Sequence, residues 1–281
     1  MRRVDIQSSH IIDTLIAERA PRLTGSPLWP VLRPAVYALL GYRKAGAMAD
    51  AIAPMGGRAA MDYVSSLLKL QVTVTGAERI PPTGRVVMVC NHPTGLADGI
   101  AAYDALKAAR PELIFFANSD AQRVNPRLSE IFIPVEWVET KRTRERTRLT
   151  LTSAHAAFEA ERALVIFPAG RISVPEHGVL TDPPWAPTAI SLARRHGAPI
   201  LPVHVAGPPS VLFNLLDRVS LELRDITLFH ELLNKRGKAF AVTIGPLIAA
   251  DAIEDDSAAM TVRLKAYVER TLPGRPDQPF V

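Results

Sequence analysis

The stretch VVMVCNHPTGLADGIAAYDAL, Val86 to Leu106, places His92 and Asp98 six positions apart at the junction of an apolar run and a helical pattern. A histidine takes up a proton near neutral pH, provided the correct ring nitrogen faces the substrate. A carboxylate on the other nitrogen fixes the tautomer and stabilises the imidazolium. One loop carrying both groups supplies a dyad without help from elsewhere. Such a dyad needs a hydroxyl to deprotonate, and a substrate can bring it. The same residues admit a structural reading, with Asp98 as a helix cap and His92 as a satisfied loop residue. Cys90 lies inside the apolar run and reads as a buried thiol rather than a nucleophile.

Two further stretches carry chemistry. ALVIFPAGRIS, Ala163 to Ser173, repeats the plan of a buried strand followed by Pro168, Gly170 and a cation, Arg171. An arginine beside backbone N–H groups freed by a glycine turn suits phosphate or carboxylate. KRTRERTR, Lys141 to Arg148, holds five cations and Glu145. It reads either as a solvated helix face or as an anion-binding rim.

The elements that position these loops follow from periodicity. Residues 1–70 read as helices separated by polar or Pro/Gly turns, with Met61, Val64, Leu67 and Leu68 on one face of the last. From Val72 onward strands and helices alternate. Expected strands include Arg85–Cys90, Leu113–Ala117, Phe132–Val138, Ala163–Phe167, Ile200–Val205 and Phe240–Ile244. Expected helices include Asp98–Ala109, Ala121–Glu130, Arg144–Arg162, Thr188–His196 and a last one over about Ser257–Leu272. This alternation implies an α/β fold: a mainly parallel central sheet with helices on both faces, preceded by a helical N-terminal segment. The division expected is 1–70, a helical segment with possible membrane docking, and 71–281, the α/β domain. In such sheets chemistry collects at the carboxyl ends of the strands, where His92 and Arg171 both fall.

Composition narrows the classes. At 281 residues with 48% hydrophobic and 22% charged residues, the chain is globular rather than disordered. One cysteine excludes an internal disulfide framework. The start, MRRVDIQSSHIID, is too polar for a cleaved signal. No apolar run reaches the roughly 20 residues of a membrane span. Ser26 to Gly41 is the nearest, broken by Arg33 and prolines, and reads either as a packed hairpin or as a segment entering one leaflet. The net charge of +5 favours anionic partners. The seven histidines and one cysteine form no ligand-spaced cluster, so no metal is expected. No G-x-S-x-G elbow is present, which disfavours a serine hydrolase.

NHPTGLAD, KRTRERTR and FPAGRIS, followed by PILPVHVAG, resemble the PlsC-like glycerolipid acyltransferases, whose middle block ends in an arginine that binds the acceptor's phosphate and is matched here by Arg142. Their first block is N-H-x4-D and their third F-P-E-G-T-R-S. The likeness runs from about Val72 to Leu247. LRDITLFHELLNKRGKAFAVTIGPLI, Leu223 to Ile248, resembles the hemolysin-related and ornithine-lipid branch. Two departures stand out: five residues rather than four separate His92 from Asp98, and Ala169 replaces the family's glutamate, with Arg171 directly after Gly170. The second points away from glycerol phosphate as acceptor.

The resemblance implies transfer of a fatty acyl chain from acyl-carrier protein or acyl-CoA to the hydroxyl of a lysolipid. The acceptor would be a lyso-ornithine lipid or lysophospholipid. His92 would be the base and Asp98 its orienter. Arg171, Gly170, Pro168, Arg142, Lys141, Thr94 and Gly95 would contact substrate. It implies no bound cofactor, no nucleic acid, and a peripheral or monotopic place on the cytoplasmic face of the cell membrane. The rival is a non-catalytic lipid- or nucleic-acid-binding protein using residues 141–148. That reading leaves NHPTGLAD unexplained, and the patch lacks the interleaved aromatics of a single-strand binder.

Overall fold

A computed structural model describes residues 10–136, 143–176 and 178–281. Five helices come first: α1 (Ile11–Arg19), α2 (Pro21–Thr24), α3 (Trp29–Leu39), α4 (Tyr42–Ile52) and α5 (Gly57–Leu68). There follow β1 (Gln71–Thr75), β2 (Val86–Cys90), α6 (Leu96–Leu106), β3 (Ile114–Asn118), α7 (Asp120–Val124) and β4 (Phe132–Val135). The next elements are α8 (Arg144–Glu159), β5 (Ala163–Ile166), β6 (Val174–Glu176), β7 (Val179–Thr181), α9 (Thr188–His196) and β8 (Ile200–Ala206). The chain closes with α10 (Val211–Asp217), α11 (Leu221–Asp225), α12 (Leu228–Leu233), β9 (Ala239–Ile244) and α13 (Ser257–Ala266).

Among the described residues, seven strands form one sheet in the order β1-β9-β8-β2-β5-β3-β4. Every neighbouring pair is parallel except β8 with β9. The mixed α/β sheet with parallel pairing is the expected architecture. Strand β2 lies at its centre, and all five of its residues are buried. Its side chains alternate between two apolar layers. Val86, Met88 and Cys90 join one that includes Met48, Met61, Val64 and Ala101. Val87 and Val89 join the other, with Phe158, Ile190 and Leu264. Helices therefore cover both faces, and a strand buried on both sides must be apolar throughout, as VVMVC is.

The differences from the sequence reading have local causes. Residues 121–130 form two pieces rather than one helix: α7 ends at Val124, and Pro126–Glu130 is a 3₁₀ turn. Pro126 restricts Asn125 to an extended backbone, and the Asn125 side chain then accepts from the Arg127 N–H at 2.9 Å. The strand expected over Phe132–Val138 ends at Val135; Trp137 and Val138 lie outside the described residues. The β6–β7 hairpin and the three short helices α10 to α12 are additions that the sequence reading lacks.

Helix α3 turns Trp29, Val36 and Tyr37 toward a third apolar cluster containing Ile12, Leu40 and Ile226. Its other face leaves Leu28, Val31, Leu32 and Leu39 exposed. No helix among the described residues is long and apolar enough to cross a membrane.

Candidate active site

Strands β2 and β5 are parallel neighbours with Val89 opposite Ile166. The loops leaving their carboxyl ends, NHPTG and FPAGRIS, must therefore lie side by side. The Ser173 N–H donates to the His92 carbonyl at 2.9 Å, joining the two loops directly. On the other flank, the Asn91 amide side chain extends the ladder to β8. Its Nδ2 donates to the Val205 carbonyl at 2.9 Å, and its Oδ1 accepts from the Val205 N–H at 2.6 Å. A side-chain amide can replace a backbone rung where the strand turns away.

The loop then closes around Asp98. Its Oδ2 lies 2.9 Å from His92 Nδ1 and accepts from the N–H groups of Thr94 at 2.8 Å and Gly95 at 2.9 Å. Thr94 Oγ1 donates to Oδ1 at 2.6 Å. Asp98 is fully buried, while the His92 side chain is 16% exposed. One carboxylate oxygen of Asp98 thus serves loop amides and imidazole alike. With Asp98 as acceptor the shared proton resides on Nδ1, leaving Nε2 as the basic nitrogen.

Gly95 holds φ +96°, and a Cβ there would lie 2.6 Å from Ile172 Cδ1. The glycine lets the first loop turn tightly beneath the second. Burial drives the Cys90 thiol well above the ordinary thiol range, with the charges of Asp98 and Asp182 adding to it. Cys90 is fully buried at the end of β2, as the sequence reading expects.

His92 faces a cavity of about 450 Å³. Its walls near the histidine include Gly95, Phe167, Gly170 and Arg171; farther off they include Met61, Val64, Phe115, Phe229 and Leu232. Helices from both ends of the sequence enclose it, since Leu15 and Arg19 of α1 and Phe213 and Arg224 of α10 and α11 also line it. Arg19 is paired with Asp120 at 2.8 Å, and Arg224 with Asp217 and Asp225, both at 2.6 Å. Arg171 is exposed and carries no ion pair among the described residues.

Of the residues expected to contact substrate, Gly95, Gly170 and Arg171 line this cavity with His92. Thr94 and Pro168 do not. Thr94 is buried with its hydroxyl on Asp98, and Pro168 is buried with its carbonyl accepting from Ala186 N–H at 3.1 Å. Ala169 packs against the apolar layer that holds Trp185 rather than lining the cavity. Lys141 and Arg142 lie outside the described residues. Arg144, Arg146 and Arg148 stand exposed on the first turns of α8, with Arg146 paired to Glu136.

Sequence reasoning missed Ser173, Asp182 and Trp185, which hold the histidine loop from beneath. Ser173 closes the FPAGRIS block and could have been noticed there. Asp182 and Trp185 stand in TDPPW, which has no motif of its own.

A protein-family model described as Acyltransferase matches residues 71–206. Lyso-glycine lipid O-acyltransferase of Bacteroides thetaiotaomicron is 27% identical over 191 residues, covering 66% of this chain and 68% of that protein. Lyso-glycine lipid O-acyltransferase of Phocaeicola vulgatus is 25% identical over 192 residues, covering 66% and 67%. Among solved structures, the 1-acyl-sn-glycerophosphate acyltransferase PlsC of Thermotoga maritima has a similar fold. Its TM-score is 0.50 at 13% identity, over 94% of this chain and 95% of that one.

Proposed function

We propose, from the premise that this chain belongs to the PlsC-like acyltransferase family and is an O-acyltransferase, that it esterifies a lysolipid hydroxyl using His92 as general base. The observation that carries this reading is the His92–Asp98 pair opening on a largely apolar cavity beside Arg171, which has no ion pair among the described residues. The acceptor hydroxyl gives its proton to His92 Nε2 as its oxygen attacks the thioester carbonyl carbon. The tetrahedral intermediate then collapses, the C–S bond breaks, and the imidazolium returns the proton to the departing thiolate. Asp98 keeps Nε2 unprotonated before the step and stabilises the imidazolium during it. The apolar walls suit an acyl chain. Acyl-carrier protein or acyl-CoA would supply that chain, and no cofactor takes part.

The acceptor we favour is a lysolipid whose head group ends in a carboxylate, as in a lyso-amino-acid lipid, over lysophosphatidate. Arg171 supports this, because an exposed guanidinium fork at the cavity wall can engage a carboxylate with two parallel bonds. The names of the two similar proteins, lyso-glycine lipid O-acyltransferases, support it as well. Ala169 does not enter this argument, since its side chain faces away from the cavity.

The lipid acceptor leads us to place the protein at the cytoplasmic face of the cell membrane. The exposed apolar face of α3 supports docking there. So does an exposed apolar edge, Val211, Leu215, Val219 and Leu221, beside cavity residues Phe213 and Asp217. Arg33, Arg43, Lys44 and Arg218 are exposed nearby in sequence and suit anionic lipid.

The test is incubation with labelled acyl-carrier protein or acyl-CoA and a panel of lysolipids, products being resolved by mass. Transfer to lyso-amino-acid lipid in preference to lysophosphatidate is expected. A clear preference for lysophosphatidate would reject the acceptor, and transfer to none of the panel would reject the reaction.

A further inference from the structure

Beneath the catalytic loop lies a second carboxylate that the reaction as written does not use. Asp182, directly after β7, is 3% exposed. Both its oxygens lie 3.1 Å from the backbone nitrogen of His92. Trp185 Nε1 donates to Oδ2 at 2.8 Å, and Ser173 Oγ donates to Oδ1. The Asp182 N–H in turn donates to Glu269 at 2.7 Å, and Lys265 holds that glutamate from one turn away at 2.6 Å. The peptide groups on both sides of the His92 Cα are therefore claimed. Its N–H goes to Asp182, and its carbonyl accepts from the residue whose hydroxyl also bonds Asp182.

A carboxylate removed from water is costly unless donors surround it. Burial raises the Asp182 pKa, while the Ser173, Trp185 and His92 donors oppose the rise. Each of these contacts offers a hydrogen to the carboxylate, so the ionised form is the one the site satisfies. The fold maintains this charge with a dedicated hairpin: β6 and β7 leave from Ser173 and return at Asp182.

We infer that Asp182 is a positioning residue for the general base, fixing the His92 peptide directly through its backbone N–H and, through Ser173, at its carbonyl. The inference rests on His92 being the base. The Glu269–Lys265 pair stands behind Asp182.

The experiment uses the full chain and compares wild type with Asp182→Asn, Trp185→Phe and His92→Ala. Asparagine keeps an acceptor and the volume while removing the charge. It should lower kcat on the order of tenfold and leave both KM values within about twofold. Trp185→Phe removes one donor from Asp182 but not the residue, so kcat should fall the same way by less. This second variant keeps the test open if Asp182→Asn does not fold. A merely structural carboxylate would lower the thermal midpoint and leave kcat unchanged in every folded variant, and that result overturns the inference. A rise in the acceptor KM with kcat unchanged also overturns it. The two readings fail differently: substantial turnover by His92→Ala removes the base itself, whereas an inactive His92→Ala with unchanged kcat in the other variants removes only the role of Asp182.

Discussion

Replacing His92 by alanine removes a side chain at the cavity wall that the apolar layers do not need, so folding should survive while turnover falls about 10²-fold or more. Single-turnover acyl transfer measures this directly, and near wild-type rates would reject the assignment. Asp98→Asn tests the charge. The two backbone N–H groups at Oδ2 require an oxygen there, so an asparagine keeps its oxygen on His92, Thr94 and Gly95 and turns its NH2 to the Thr94 hydroxyl. The Nδ1 proton stays in place, and what is lost is the negative charge that stabilises the imidazolium. The expected loss in kcat is on the order of 10²-fold, with acceptor KM little changed. Arg171→Lys should act differently. Lysine keeps the charge and loses the two-pronged contact, so the acceptor KM should rise on the order of tenfold while the thioester KM stays near its original value. Equal increases in both would detach Arg171 from the acceptor.

At the scale of elements, the site depends on a glycine where two loops cross. Gly95→Ala would force a β-carbon into Ile172 and hold a side-chain-bearing residue at φ +96°. Such strain costs about 1–3 kcal/mol. The first loop should respond by lifting Thr94 and Gly95 away from Asp98, so stability and activity should fall together. Pairing the change with Ile172→Ala relieves the collision and leaves the backbone strain, so it should recover part of the thermal midpoint lost by Gly95→Ala. Calorimetry of the two variants checks this, and no recovery would place the cost elsewhere. The sheet explains why these loops meet at all. Parallel pairing of β2 with β5 aligns their carboxyl ends, and chain reversal after each strand puts both motifs on one edge.

At the scale of the molecule, the cavity joins the first helix to the last part of the α/β domain. Leu15 and Arg19 wall it alongside Phe229 and Leu232, so removal of the N-terminal helices would open it. The docking proposal is therefore tested by surface substitution. Val31→Asp with Leu39→Asp on α3, and Val211→Asp with Val219→Asp on the other edge, alter residues that are 66–77% exposed. Each pair should weaken co-sedimentation with phosphatidylglycerol vesicles on the order of tenfold or more, because each change withdraws an apolar side chain from lipid and adds repulsion. Turnover of a short-chain soluble acceptor should be unchanged. Undiminished vesicle binding by both pairs would remove these two edges from the membrane contact.

The sequence by itself determined the parts whose physics is local. VVMVC had to be a strand buried on two faces, strand–helix alternation had to give a mainly parallel sheet, and Asp98 had to fall in the first turn of α6, three residues past Gly95. His92 and Asp98 were legible as a pair because one loop carries both. Only the tertiary structure decided which other residues stand with them. Arg171 reaches the cavity while its neighbours Pro168 and Ala169 turn into the core, a difference of orientation within a single loop. Asp182 lies 90 residues from His92 in the chain and reaches it through a three-residue hairpin strand with weak periodicity. The walls contributed by α1, α5 and α12 likewise had no signature beyond apolar residues at helical spacing. Such residues are required wherever a helix packs, and their sequence is the same whether they meet a neighbouring side chain or a space left for a ligand.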